Sequence, residues 1–366
     1  MKSRILRHLT SFFFMLHDLL RRRKMVTKTK LLIFSVLCSL FITGCYPTGE
    51  SVGNSNISYG SELNESPYEG LNYKLMLPDD YPETYSVTKA KLRNFDTSLA
   101  ESLFPDCTKD TVDIQIDEEN KYALYRKKES DVCFMPGTVI YNKKNENKTE
   151  LLVNALTMPK TDEQIRDEFP RTELPGFSSD GYLEEINRVI DLLNIETTGP
   201  QIYAITDEEA EYVNSTYCEG AFDGIICNDS YIIKYTPTLD GLPIANHSFL
   251  STMSDWVATS SKIYGLFDEN GMNELTVRDI PEVYKREKNE KICSPEFAVS
   301  QMKEYIEGMH KKGSVFGCEL RALVYIYSGE VTDEYEVRPV WVFGWQDDDM
   351  DRPNPCYIDA VSGNIL

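Results

Sequence analysis

Residues 335–345 alternate in a way that only an extended strand accommodates. One set of alternating positions carries mostly large apolar side chains: Tyr335, Val337, Pro339, Trp341, Phe343 and Trp345. A period of two with one aromatic face predicts a half-buried antiparallel strand. We expect this face to pack on a helix that precedes the strand. Because Pro339 has no N–H to donate, we also expect the strand to lie at a sheet edge or to carry a bulge there.

Four helices are predicted from residues that favour helix starts, namely N-cap Asp or Ser, a capping box, and proline in the first turn. They are residues 96–104, a segment after the cluster Ser178-Ser179-Asp180, residues 207–216 behind the box Thr206/Glu209, and a segment that begins Ser294-Pro295. In the last helix we expect a buried stripe and an end at Lys311-Lys312-Gly313. The stripe is Ala298, Met302, Tyr305 and Met309.

Strands are predicted where β-branched and aromatic residues cluster between turn residues. Besides 335–345, they are residues 85–92, 111–116, 121–125, 133–141, 150–156, 231–236, 263–267, 274–277, 319–327 and 357–361. Asn270-Gly271 predicts a hairpin turn between two of them. Helices followed by antiparallel runs favour an α+β class over a parallel, doubly wound sheet.

The N-terminal segment carries an export signal. A basic start at Lys28 and Lys30 precedes the apolar run 31–41, which is too short to span a bilayer. The residues that follow, Ile42-Thr43-Gly44-Cys45, resemble the lipobox of bacterial lipoproteins. This resemblance implies cleavage after Gly44, a diacylglyceryl group on the Cys45 thiol, and an anchored protein on the extracytoplasmic face of the cell membrane. An ordinary cleaved signal and a short membrane anchor are the alternatives.

Residues 1–24 are basic and partly apolar and fit poorly with this signal. Translation from Met25 would give a signal of ordinary length, whereas the alternatives are a long basic region or an amphipathic helix at the membrane surface. Residues 45–69 are rich in Gly, Ser, Asn and Glu, which predicts a flexible tether.

The charge excludes one class of partner. The whole chain has a formal charge of −21, and segment 1–44 holds nine Lys/Arg and one Asp/Glu, so the remainder carries −29. Such a surface repels nucleic acid, whose binding depends on cations that neutralise phosphates. It also repels anionic lipid, so the anchor at Cys45 is the expected link to the membrane.

Seven cysteines follow Cys45, and an exported location permits disulfides. Cys218 and Cys227 flank a short loop that they could close, and Cys107 with Cys133 is a second candidate pair. The alternative is that all are reduced and buried as small apolar residues. An odd number leaves at least one thiol unpaired within the chain.

Short motifs in the second half resemble PepSY domains and the propeptide module that precedes them in thermolysin-like proteases. The end of the chain, Ile358-Asp359-Ala360-Val361-Ser362-Gly363, and the strand Arg338-Pro339-Val340-Trp341 match the former. Asp240-Gly241-Leu242-Pro243 and Asp268-Glu269-Asn270-Gly271 match the latter. The resemblance covers residues 180–366 and implies tandem small modules, each a helix packed on a curved antiparallel sheet.

The resemblance also bears on domains and function. It gives modules over residues 176–290 and 291–366, behind an N-terminal α+β module over 70–175. Similar modules occur in Gram-positive lipoproteins without assigned chemistry and in anchored regulators of envelope sensors. It therefore implies a non-enzymatic protein that binds a peptide or protein partner and needs no cofactor.

Candidates for chemistry are weak. Asp347, Asp348, Asp349 and Asp351 form an acidic loop, but they lack the spacing of a calcium loop. His247 and His310 are the only histidines after Cys45, and neither has a nucleophile motif nearby. An envelope hydrolase acting on peptide or wall polymer, centred on His247 or on an acid pair, is the alternative function. We expect no catalytic, metal-binding or cofactor-binding residue. An exposed aromatic groove along Trp341, Phe343 and Trp345 is an alternative to core packing.

Overall fold

The computed structural model describes residues 59–63, 71–78, 80–104, 113–119, 121–144, 169–217, 226–245, 256–259, 261–309, 312–327, 334–347 and 354–366. All of them belong to a unit that spans residues 46–366. None of the helices in these ranges is long and apolar enough to span a bilayer.

Of the predicted caps, Asp96, Thr206 and Ser294 accept backbone N–H groups, whereas Ser179 makes no side-chain capping bond. Four α-helices are described. They are α1 (Ala100–Leu103), α2 (Asp180–Leu192), α3 (Asp207–Tyr217) and α4 (Pro295–Gly308). A turn of 3-10 helix, Thr97–Leu99, precedes α1, and Asp96 accepts the Ser98 N–H there. The capping box of α3 is formed in both directions, because Thr206 N–H donates to Glu209 and Glu209 N–H donates to Thr206 Oγ1.

The last helix differs from the prediction at its far end. α4 starts at Pro295 behind the N-cap Ser294, as predicted, but ends at Gly308, and Gly313 begins the next strand. Tyr305 and Met309 are exposed, so the predicted stripe is wrong at these two positions. The buried face of α4 is formed by Ala298, Val299, Met302 and Ile306.

The strands alternate with these helices along the chain. They are β1 (Tyr59–Leu63), β2 (Leu71–Pro78), β3 (Thr84–Leu92), β4 (Asp113–Asp117), β5 (Tyr122–Arg126), β6 (Ser130–Met135), β7 (Thr138–Lys143), β8 (Gln201–Ile205), β9 (Ser230–Tyr235), β10 (Thr238–Leu239), β11 (Leu242–Pro243), β12 (Trp256–Ala258), β13 (Lys262–Asp268), β14 (Gly271–Arg278), β15 (Pro281–Lys291), β16 (Gly313–Tyr327), β17 (Glu334–Asp347) and β18 (Asn354–Asp359).

The first of two larger sheets has the order β1-β2-β16-β17-β3-β15, with β12 also paired to β16 and β18 to β17. The pairing of β2 with β16 is parallel, and the others in this sheet are antiparallel. Trp341 and Phe343 of β17 are buried against Met302 and Ile306 of α4. The predicted packing of the aromatic face on a helix is therefore confirmed, and the alternative of an exposed aromatic groove is wrong.

β17 is not an edge strand, which corrects the prediction from Pro339. It pairs with β16 on one side and with both β3 and β18 on the other. The β3 pairs end at Val337 and the β18 pairs begin at Val340, so Pro339 lies where one neighbour gives way to the next. Its carbonyl accepts the Ala360 N–H on that side. The missing donor of proline therefore falls in the gap between two partner strands.

The second sheet has the order β4-β5-β6-β7-β14-β13-β9-β8 and is antiparallel throughout. α2 packs on one face of this sheet, and the core between them includes Phe134, Ile186 and Phe267. On the opposite face, α3 packs over Tyr203 and Leu266.

Two local predictions of strands are corrected. Residues 133–141 are not one strand but parts of β6 and β7, joined by a hairpin at Gly137, whose φ of +70° suits glycine. The strands β1, β2, β8, β10, β11, β12 and the long, highly charged β15 were not predicted. Because β1 pairs with β2, the predicted flexible tether over residues 45–69 is wrong at Tyr59–Leu63. The hairpin predicted at Asn270-Gly271 is confirmed between β13 and β14.

The chain is thus an α+β protein built mainly from antiparallel strands. The first sheet combines β2 and β3 with strands from the end of the chain, and the second combines β4 to β7 with strands from its middle. Strands of the expected N-terminal module therefore pair with strands of both other modules.

Candidate functional site

The edge strand β4 of the second sheet is exposed on both of its faces. β4 pairs with β5 on one side, and none of the described strands pairs with its other side. Ile114 and Ile116 expose 53% and 57% of their surfaces. An edge strand with unpaired backbone groups is a template on which another strand can add.

The two isoleucines extend the face of the second sheet on which α2 packs. Ile114 is paired with Tyr125, and Ile116 with Ala123, and opposite residues in a ladder share a face. Through Phe134 of β6, this apolar row continues into the core beneath α2. The apolar face of the sheet therefore runs on to β4, where it meets solvent.

The other face of β4 is acidic. Asp113, Gln115 and Asp117 alternate with the isoleucines, as expected for a strand. Asp113 lies 3.5 Å from the Arg126 guanidinium and accepts a hydrogen bond of 3.1 Å from Gln115. β4 thus presents aliphatic side chains on one face and carboxylates on the other.

The open edge of the first sheet, β15, has a different character. Its exposed positions carry charges of both signs, with side chains such as Lys285, Glu287 and Lys288 paired along the strand. Charged side chains on an edge oppose pairing with another chain. Of these two edges, β4 is therefore the better site for strand addition.

The C-terminal motif residues hold the chain end against β17. Asp359 is almost fully buried and accepts hydrogen bonds from Arg338 at 2.9 Å and from two backbone N–H groups of the following turn. Trp341 donates its indole N–H to the Cys293 carbonyl at 3.1 Å, just before α4. These contacts join a strand, a turn and a helix start, so the motif has a structural role.

The glycine-proline segment of the middle region docks on the first sheet. Both outer nitrogens of Arg286 bind the Asp240 carboxylate, one of them at 2.7 Å. Tyr85 donates its hydroxyl to the Leu239 carbonyl at 3.1 Å. The short β10–β11 hairpin is therefore tied to β3 and β15.

Most of the predicted site residues lie outside the described residues. These are Cys45, Cys107, Cys218, His247 and His310, so the lipidation, both disulfide pairings and the histidine-centred hydrolase stay predictions. Cys133 and Cys227 are described, and burial raises the pKa of the Cys133 thiol to about 11.

In the described part of the chain, no three side chains of His, Cys, Asp or Glu form a group that could hold a metal ion. Of the acidic loop, only Asp347 lies in that part, at the end of β17.

The sequence contained a signal for β4 but not for its exposure. Ile114 and Ile116 alternate with polar residues, and a strand was predicted over 111–116. Which strand lies at the sheet edge depends on pairing between distant segments, and the alternation of one segment carries no information on that.

Comparison with known proteins supports the fold alone. The sequence matches no protein-family model and no curated protein. The structure is similar to the crystal structure of an uncharacterized protein from Eubacterium rectale, with a TM-score of 0.60 at 15% sequence identity. The match covers 82% of this chain and 92% of that chain.

Proposed function

We propose that this chain is a lipid-anchored protein on the extracytoplasmic face of the cell membrane that binds an extended segment of a partner protein and catalyses no reaction. The observation that supports it most is the exposure of Ile114 and Ile116 on the open edge of β4. The lipobox at Cys45 supports the location, and residues 46–58, the part of the predicted tether that precedes β1, would connect the anchor to the fold.

The occupant of the edge is a segment that alternates aliphatic and basic residues. Its backbone pairs with β4, and its aliphatic side chains cover Ile114 and Ile116. Its basic side chains then lie on the face of Asp113 and Asp117, where opposite charges on neighbouring strands are favourable. The acidic balance of the whole chain favours the same partner.

A peptide-binding measurement tests this proposal. Fluorescence anisotropy uses a labelled peptide of about eight residues that alternates isoleucine and lysine. We expect saturable binding, weakened about tenfold or more by the double substitution Ile114→Asp and Ile116→Asp, which removes the apolar contact.

Two controls make the test specific to strand addition. Ile226→Asp changes an isoleucine that is also 57% exposed but lies outside β4, and should leave the affinity unchanged. A peptide with proline at its centre cannot complete the ladder and should not bind. Equal binding of the proline peptide, or of the double variant, would contradict the proposal.

We further propose that residues 291–366 form a PepSY-like module and that the bound segment belongs to a protease or an envelope sensor. The order of α4, β16, β17 and β18 and the contacts of Arg338, Trp341 and Asp359 support the first part. A partner segment that pairs with β4 can no longer reach the partner's own active site or a receptor. This consequence supports a regulatory role.

A further inference from the structure

The outer side of β18 is paired with residues that follow it in the chain. On its inner side, β18 pairs with β17. On the outer side, Leu366 donates its backbone N–H to the Tyr357 carbonyl at 2.9 Å, and Asp359 donates its backbone N–H to the Asn364 carbonyl at 2.8 Å. We call residues 364–366 the edge cover, because they bind backbone groups that an edge strand would otherwise leave open.

A proline protects the part of this edge that precedes the edge cover. In an antiparallel strand, the backbone groups of every second residue point to the same side. Pro355 therefore faces the outer side together with Tyr357 and Asp359, and it has no N–H to donate. The Asp359 carbonyl accepts the Gly363 N–H at 2.7 Å. Two devices, a proline and the edge cover, thus protect the outer edge of β18.

The edge cover also adds an apolar side chain to each face of the first sheet. Ile365 is opposite Ile358 in an antiparallel bridge and packs against the core that includes Met302 of α4. Leu366 packs against a different cluster, which includes Val340 on the opposite face. Without the edge cover, apolar surface of β18 would be uncovered on both faces of the sheet.

The turn that leads into the edge cover is fixed in place. The Asp359 carboxylate accepts the backbone N–H groups of Val361 and Ser362 at 2.8 and 2.9 Å. Gly363 has a φ of +75°, and a Cβ atom added there would clash with the Phe297 ring of α4. The turn and the backbone bonds together therefore hold the edge cover against β18.

We propose that the edge cover keeps the first sheet from pairing with a second copy of this chain, and that its removal turns the outer edge of β18 into a self-association surface. An uncovered edge strand is a template for another strand. A second copy offers the same strand with the same apolar side chains, and two identical strands can pair about a two-fold axis. The proposal concerns the first sheet and does not depend on the function proposed for β4.

Deletion of residues 364–366 from the full-length protein tests the proposal by sedimentation velocity. We expect the deletion variant to form a concentration-dependent dimer that the original protein does not form. Asn364→Ala is the control and should behave like the original protein, because it changes an exposed side chain of the edge cover and keeps the backbone bonds. A folded deletion variant that associates no more than the original protein would overturn the proposal.

A combined variant distinguishes the two edges. Ile114→Asp and Ile116→Asp, added to the deletion, change β4 in the second sheet. Dimer formation should persist in this variant, since β18 is unaltered by the two substitutions. Its loss would show that the deletion acts through β4 and would contradict the proposal.

Hydrogen exchange gives a readout that a general loss of folding would not produce. The Asp359 amide donates to the edge cover. In the deletion variant it should therefore exchange about tenfold or more faster at low concentration and regain protection as the dimer forms. A dimer without renewed protection of this amide would show that another surface pairs, and the proposal would then be wrong.

A milder variant carries the same test if the deletion prevents folding. Ile365→Ser with Leu366→Ser keeps the backbone of the edge cover and removes both of its apolar contacts. We expect faster exchange of the Asp359 amide and dimer formation, each to a smaller extent than in the deletion variant. Exchange and sedimentation identical to those of the original protein would overturn the proposal.

Discussion

At the scale of single residues, Lys262 lowers the stability of the fold that contains it. Burial and the like charges of Arg278 and Lys234 lower the pKa of its amine, and the charges of Glu274 and Asp279 oppose this shift only in part.

Lys262→Met should stabilise the protein by about 1 kcal/mol at pH 7. The pKa of Lys262 is about 8 in the folded state, below the value of about 10.4 of an unfolded chain. Wild-type stability linked to this group is therefore lost as the pH falls through 8 and is fully regained above about 10.4. The advantage of the variant should shrink between pH 8 and pH 10.

Denaturant unfolding at pH 7, 8.5 and 10 checks this prediction, with the exposed Lys285→Met as control. Among the groups facing Lys262, burial raises the pKa of Tyr264 well above its ordinary value, so Tyr264 does not titrate in this range. A variant that is less stable than the original at pH 7 would show that Lys262 is already compensated.

Among the sequence-based predictions, those of single residues that cap helices agreed best with the structure. Asp96, Thr206, Glu209 and Ser294 lie at helix starts with the predicted hydrogen bonds. Such contacts span only a few residues, so local spacing determines them. The exposure of Tyr305 was not predictable in the same way, since it depends on which strands meet α4.

At the scale of elements, α2 lies very close to the second sheet. Gly265 of β13 faces Ile186 of α2, and a Cβ atom added at Gly265 would lie 2.5 Å from Ile186 Cδ1 and 2.7 Å from Phe267 Cε2. Tyr182 of the same helix stacks on Phe267 with ring centres 4.6 Å apart. The absence of a side chain at Gly265 allows this close packing.

Gly265→Ala should therefore destabilise the protein by about 1–3 kcal/mol, because the added methyl group forces α2 or Phe267 to move. Gly308→Ala is the matched control: it lies at the end of α4 with no atom within 4 Å of an added Cβ, and should be neutral or slightly stabilising. Thermal unfolding of both variants compares them. Equal stability of the two would show that α2 packs less closely on the sheet.

The predictions of elements failed where pairing decided the outcome. Pro339 suggested an edge strand, but the gap between β3 and β18 accommodates it inside a sheet. Charged residues over 281–291 suggested no strand, yet the ladder with β3 makes them β15. Neither partner is near in sequence, so no local pattern could show this.

At the scale of the whole molecule, two large sheets each combine distant parts of the chain. The class α+β was predictable, since it follows from the order of helical and alternating segments. The composition of the sheets was not, and neither was the open edge at β4, because that edge depends on which strands become neighbours.

In the proposed function, the membrane anchor depends on Cys45 alone. Cys45→Ala removes the thiol on which a lipid would be attached, and the acidic remainder has no charge-based attraction to anionic lipid. We expect the variant to move from the membrane fraction to the soluble extracytoplasmic fraction, as judged by immunoblotting. Retention in the membrane fraction would contradict the lipobox interpretation.

Hydrogen exchange on the complex with the alternating isoleucine-lysine peptide tests the central proposal most directly. Amide groups on the open side of β4 exchange with solvent in the free protein and become hydrogen-bonded when a strand adds. We predict new protection within Asp113–Asp117 and no change within Pro281–Lys291, the charged edge of the first sheet. Binding without protection of Asp113–Asp117, or with protection of β15 instead, would contradict strand addition at β4.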